Sequence, residues 1–413
     1  MQPRQTRSVA ALLTSVSCSA TSIALVTTVL GKQVFDMTGS PLALGLLGLA
    51  EFAPAALLVF VTGTLADRVD RTKLAGVGLA MQAIVLGALT WYAGTSPTST
   101  APIFILVVAL GTAAAFATPA TRALPADIMA PERLSWLVAR QTAAWQGASI
   151  VGPVIGGFLY VVNVRLPYLA GGLLLLVAAV AIIFVRPRNE VARVARPRAG
   201  MHEAVEGVRF VRSQPILLGA ISLDLFAVLF GGAVALLPAI AENRLGVGAV
   251  GLGLLRAAIG IGAGAVTLCL VVRPVKRRVG RTLLFTVALF GVGTIALGAT
   301  TNFVVAFAAL MVLSGADSVS VFIRSTLVPL VTPPEKRGRV LAVEAVFIGA
   351  SNELGAFESG VVGQLFGAPA AVVLGGIGTL VVAALWWGLF PALRNVDRFP
   401  SRPSADAIST DDA

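Results

Sequence analysis

Histidine occurs once, at His202, and cysteine twice, at Cys18 and Cys269. Two thiols far apart in apolar runs make neither a disulfide framework nor a thiolate metal site. A lone imidazole leaves little material for a histidine metal site or a Ser/His relay. No metal and no cofactor is expected. Charge is scarce too: 12% of residues are Asp, Glu, Lys or Arg, against about 25% in a soluble domain. No Gly-x4-Gly-Lys-Ser/Thr phosphate loop is found, which argues against ATP as the energy source. With no defensible nucleophile–base pair, an enzyme is not expected.

What fills the chain is apolar sequence: 57% of residues are hydrophobic and the mean hydropathy is +0.89. Its surface therefore meets lipid. About 20 apolar residues cross a bilayer core, and on that measure twelve spans are expected. They lie near 8–35, 40–66, 73–94, 101–123, 137–162 and 166–186, then near 215–241, 247–272, 281–300, 303–330, 339–366 and 368–391. The run after Arg4 and Arg7 is too long for a cleaved signal peptide and reads as an uncleaved first span. The fold class expected is all-α and polytopic.

The net charge of +11 does not point to nucleic acid, because the positive residues sit in short loops between apolar runs, as orientation signals do. Of the 31 Lys and Arg residues, all but Lys32, Arg165, Arg244 and Arg256 are assigned to the side holding both termini, Arg324 among them. That bias puts both termini in the cytoplasm of a cell-membrane protein. Tyr92, Tyr160 and Tyr168 fall at outer span ends, where an aromatic belt is expected.

Residues 187–214 are Arg- and Pro-rich and then amphipathic. Met201, Val205 and Val208 share a face, so a short helix on the inner membrane surface is expected. The domains read as an N-terminal six-helix bundle (1–186), this linker (187–214), a C-terminal six-helix bundle (215–393) and a disordered polar tail (394–413). The halves look duplicated. Aligning Arg71 with Arg281 pairs Arg68 with Arg278, and Pro131-Glu132-Arg133 matches Pro334-Glu335-Lys336. Gly152 then meets Gly355, and Gly157 meets Gly360. An axis along the membrane normal would relate two such halves.

Six acids fall within spans: Glu51, Asp224, Asp317, Glu344, Glu353 and Glu358. A charge at the bilayer centre costs about 2.5–3.5 kcal/mol on insertion scales, so such residues face a cavity or a partner. Proton binding is the chemistry they suggest, with Glu51, Asp224 and Glu353 nearest mid-span, then Asp317 and Glu358. Arg256 is the expected buried counter-ion and Arg140 a weaker one. On the 339–366 span Glu344, Ser351, Gly355 and Glu358 share one stripe while Glu353 points nearly opposite. Ser15, Ser19 and Ser22 repeat at helical spacing and either line a polar cavity or bond their own backbone. Gln141, Trp145 and Gln146 add amide and aromatic surface to a candidate substrate cavity.

The most specific stretch is Gly63-Thr64-Leu65-Ala66-Asp67-Arg68-Val69-Asp70-Arg71, a tight turn between two spans. Gly63, Asp67, Arg68 and Arg71 are expected to form a cytoplasmic gate that holds the halves together in one conformation. The Gly-x-Leu-Ala-Asp-Arg-x-x-Arg pattern resembles the signature loop of the major facilitator superfamily, with Asp70 where many members have glycine. Gly152, Pro153, Gly156 and Gly157 resemble the antiporter motif of that superfamily's drug/proton antiporters, although Ala148 and Ala139 stand at its upstream glycine positions. Leu225 to Gly232 and Ser351 to Gly355 are similar to the subgroup containing the enterobactin exporter. The resemblance implies a monomeric secondary transporter that exports an amphipathic small molecule (a siderophore, an antibiotic or a drug-like compound) in exchange for protons. An uptake carrier for a small polar solute or metal complex is the alternative. A non-transporting receptor or scaffold is a third reading, weakened by the intramembrane acids.

Overall fold

The computed structural model describes residues 3–186 and 201–400; side chains at 3, 4, 59–61, 63, 64, 66–68 and 201–204 are outside the described set. Proline and small polar residues punctuate the chain. Pro41, Pro131, Pro215, Pro334 and Pro391 each open a helix, where their missing N–H costs nothing. Ser40, Asp70 and Asn302 cap the next helix by accepting from its first free N–H groups.

The first set is α1 (Pro3–Thr38), α2 (Pro41–Arg68), α3 (Arg71–Ala93), α4 (Ala101–Ile128), α5 (Pro131–Val162) and α6 (Arg165–Ile183). A short α7 (Met201–Ser213) follows. Then comes α8 (Pro215–Phe230), continued by a 3-10 turn (Gly232–Leu236), α9 (Leu237–Ala239) and a π turn (Ile240–Arg244). The second set is completed by α10 (Gly248–Val272), α11 (Val279–Ala299), α12 (Phe303–Val331), α13 (Pro334–Phe366) and α14 (Ala368–Leu389), before α15 (Pro391–Arg394). Twelve of these segments are long and apolar enough to cross a membrane. The protein is all-helical and multi-pass among the described residues.

Each set has its own apolar core, but Phe35 and Leu44 of the first set are buried in the core of the second. The sets meet along a seam made by α5 on α10 and α2 on α13. Backbones approach closely there. A Cβ on Gly45 would lie 3.0 Å from Phe357 Cα, and one on Gly157 would lie 2.5 Å from the Ala249 carbonyl oxygen. These contacts lie toward the end of the bundle away from the chain termini, the far end. They reach inward to Phe52 against Gly349 and to Gln146, which donates to the Gly260 carbonyl at 2.6 Å. Beyond that level the same four helices expose Leu57, Trp145, Val271 and Val346. The structure is closed at its far end.

Three expectations change. Tyr168 is not a belt residue: it is fully buried and its hydroxyl donates to Gln33 Oε1 at 2.5 Å. The amphipathic α7 does more than lie on a surface, because it docks on α13. Arg339 pairs with Glu206 at 2.8 Å, Lys336 sits 4.7 Å over the Phe210 ring, and Val211 is buried. His202, expected in that helix, has its side chain outside the described residues, as does the stretch 187–200.

The third change concerns the start of the expected tail. Phe399 stacks edge-on against Phe322. The carbonyl oxygens of Val396 and Asp397 accept from Gly280 and Val279, and Asp397 Oδ1 accepts from Arg278 N at 3.2 Å. The segment therefore caps α11, and only residues 401–413 of the expected tail lie outside the described residues. Position 280 matches Asp70 in the duplicated alignment. Where α3 is capped by its own Asp70, α11 has glycine and borrows an acid from the chain's last described stretch.

Candidate functional site

Three of the expected acids and bases converge at the seam. Glu51 lies on α2, Arg256 on α10 and Glu353 on α13, so both sets contribute. Glu51 is within electrostatic reach of Arg256 and of Glu353. Glu353 reaches toward α2: its Oε2 is 2.7 Å from where a Cβ on Gly48 would sit. A side chain at position 48 would push that carboxylate aside. Arg256 Nε is buried without a hydrogen-bond partner among the described residues. The group thus holds two carboxylates and one guanidinium, at the level where the seam ends.

A second charged group lies wholly inside the second set. Asp224 Oδ1 on α8 meets Arg324 on α12 at 2.6 Å, both buried. Arg324 Nε is 3.4 Å from Ser320 Oγ, one turn back on the same helix. Asp317 and Glu344 are within electrostatic reach of this pair. A crevice lined by Asp224, Thr286, Asp317 and Ser320 adjoins them. Arg324 is the residue that counting loop charges misassigns. It lies inside the uninterrupted helix Phe303–Val331, seven residues after Asp317. That i, i+7 spacing was the available signal.

The two faces of α13 are used separately. Glu344 belongs to the second group, and Gly355, on the same stripe, packs against Val228 and Leu229 of α8. Glu353 faces α2. Glu358 meets the neighbouring Ser359 and joins neither group among the described residues.

The glycine motif of α5 also serves two faces. Gly152 packs on Thr21 and Ala24 of α1, and Gly156 on Leu25, while Gly157 meets Ala249 and the Pro153 carbonyl meets Gly253 of α10. Their counterparts behave alike: Gly355 packs on α8, and Gly360 meets Gly45 and Pro41 of α2 across the seam.

The expected cavity residues divide. Ser22 is buried and donates to the Gly171 carbonyl at 2.9 Å, so it ties α1 to α6. Ser19 donates to its own helix at the Val16 carbonyl. Ser15 is buried with its Oγ unpartnered among the described residues. Gln146 is a seam residue through Gly260, Trp145 is exposed, and Gln141 is half-buried. Arg140 is exposed and stacks over Trp136, so it is no buried counter-ion.

Of the expected gate residues, Arg71 pairs with Asp127 of α4 at 2.9 Å, within the first set. The side chains of Gly63, Asp67 and Arg68 lie outside the described residues. Asp70, the departure from the family pattern, accepts from Thr72 N and Lys73 N and so starts α3.

The family model of the Major Facilitator Superfamily matches residues 8–298. The chain belongs to that superfamily: it is a transporter, not an enzyme. Solved structures share the fold. A bacterial homolog of the human lysosomal transporter Spinster, inward-facing and occupied, has 15% identity and a TM-score of 0.73, covering 94% of this chain and 97% of that one. The nucleoside transporter NupG has 14% identity and a TM-score of 0.68, covering 93% and 99%. A D-xylose–proton symporter has 14% identity and a TM-score of 0.66, covering 94% and 98%. Comparison with curated proteins finds no match in sequence.

Proposed function

We propose that this transporter exports an amphipathic small molecule, such as a siderophore, an antibiotic or a drug-like compound, in exchange for protons. It is read as a monomer in the cell membrane, with both termini in the cytoplasm, related to the drug/proton antiporter subgroup. The observation that carries the reading is the seam group. Two carboxylates, Glu51 and Glu353, lie within electrostatic reach of each other at lipid depth, and Arg256 lies within reach of Glu51. Unbalanced charge is costly there. One proton on the pair balances it, and a cationic substrate group can take that proton's place. Because the group spans both sets, its protonation is tied to how the sets sit against each other.

In this reading the far end is the extracellular end, and the structure is the state loaded from the cytoplasm. The sets then rock about the seam, with Arg71 and the Gly63–Arg68 end of α2 holding the cytoplasmic end in the other state. Each proton supplies about 1.4 kcal/mol per pH unit and about 2.3 kcal/mol per 100 mV.

The test is transport in inverted vesicles with an imposed pH gradient, using catechol siderophores and cationic dyes. Uphill accumulation that collapses with the gradient, and is lost in Glu51→Gln or Glu353→Gln, supports the reading. Accumulation in those variants equal to the parent's overturns the site. Movement only with the proton, rather than against it, makes the protein an uptake carrier.

A further inference from the structure

The far end of the seam carries a charge arrangement that proton exchange does not use. Lys32 on α1 is buried, its side chain 7% exposed, and it is paired with two carboxylates. One is Asp36, four residues on along the same helix. The other is Glu242 of the second set, at 3.1 Å. Tyr160 of α5 donates to Asp36 Oδ2 at 2.8 Å, and its ring lies 5.9 Å from the Lys32 ammonium. Glu242 is presented by the π turn Ile240–Arg244, a geometry that concentrates at functional positions. Arg244 pins that turn by donating to the carbonyls of Ala299 and Thr300. Gly31, next to Lys32, packs on Pro238 of the second set.

We propose that Lys32 is the latch of the far end, a cation shared between a partner that travels with it and a partner that leaves. Lys32–Glu242 crosses the seam and must break when the far end opens. Lys32–Asp36 lies within one helix and persists. A buried ammonium stripped of its only carboxylate is strongly disfavoured. Asp36 removes that penalty, so the latch opens by giving up one partner of two. Tyr160 holds Asp36 in place for this by occupying its second oxygen. Asp36 and Glu242 thus have opposite roles, although both are acids beside the same lysine: Glu242 favours the closed end and Asp36 makes opening affordable.

The inference rests on alternating access by the two sets, and not on the substrate or on which acids carry protons. Its test reads conformation alone, without substrate or pH gradient, so it can fail while the transport reading stands, and the reverse. Spin labels are placed on Thr38→Cys and Leu365→Cys, both exposed at the far end, with Cys18 and Cys269 replaced by serine. The distance distribution is measured by pulsed electron paramagnetic resonance in lipid nanodiscs. Glu242→Gln is expected to raise the ratio of long to short distances about fivefold, the effect of an ion pair at the upper end of the partly exposed range. Lys32→Met acts in the same direction. Asp36→Asn leaves the long-distance population at or below the parent's level. Glu242 is 44% exposed and Asp36 32%, so neither replacement threatens folding. An unchanged distribution in Glu242→Gln overturns the proposal, and so does an opening in Asp36→Asn that matches Glu242→Gln.

Discussion

Asp224 and Arg324 meet at 2.6 Å with both side chains almost fully buried, on helices that are neighbours within one six-helix set. Removing one member of such a pair leaves a charge with no solvent to receive it. Arg324→Leu is expected to cost about 3–5 kcal/mol, because Asp317 and Glu344 lose the same cation. Asp224→Asn costs less, since two acids stay within reach of Arg324. The double variant Asp224→Leu/Arg324→Leu recovers part of the loss. Thermal melting of the purified protein, read as a double-mutant cycle, checks the order.

Glu353→Gln removes a titratable group without removing its bulk. A one-unit pH gradient coupled to one proton sustains about a tenfold substrate gradient. In the variant that ratio falls to one, while exchange of labelled for unlabelled substrate continues. Vesicle accumulation and counterflow, measured side by side, distinguish lost coupling from lost binding.

Gly152 and Gly157 are five residues apart on α5 and answer to different neighbours. Gly152→Val drives a side chain into α1, inside one set, and is expected to lower the melting temperature with a cost of about 1–3 kcal/mol. Gly157→Val drives one into the Ala249 carbonyl of the other set. It is expected to leave melting nearly unchanged and to prop the far end open, so that a membrane-impermeant thiol reagent reaches a cysteine placed at Leu44.

Gly280→Ala would put a Cβ 1.8 Å from the Leu393 carbonyl oxygen. The capping segment must then leave α11, at about 1–3 kcal/mol. Asp397→Ala removes only the carboxylate's contact and costs about 1 kcal/mol. Limited proteolysis after residue 390 should accelerate in the first variant and barely in the second.

Hydropathy and proline positions made the twelve spans legible, since lipid forces the backbone of each crossing to satisfy itself. The resemblance of the Gly63–Arg71 stretch to a family signature pointed to the superfamily, although the turn expected there is only Val69 and Asp70, because α2 continues to Arg68. The seam group was half visible. Periodicity separated Glu353 from Glu344, but nothing local said that Glu353 and Glu51 approach each other from different sets, with Arg256 beside Glu51. Arg324 was lost because charge counting treats every arginine near a span end alike, and only the facing acid reveals a buried partner. Lys32 was set aside as an exception to the orientation bias. Its carboxylates are 4 and 210 residues away, and the second is beyond any local pattern. The capping role of Asp397 was hidden for the same reason: a polar stretch reads as solvated unless its acceptors are seen to meet free N–H groups.

The glycine contacts between α2 and α13 and between α5 and α10 bear on how easily the joint moves. Backbone touches backbone at several of these points, so little rotamer rearrangement is needed there when the surfaces part. A joint of this kind fits tightly when shut and parts with little repacking at those points. That suits a machine that must cross the same contact once in every cycle. It also means that bulk added anywhere along this line acts as a wedge, and that the resting bias of the protein can be tuned by residues that bind nothing.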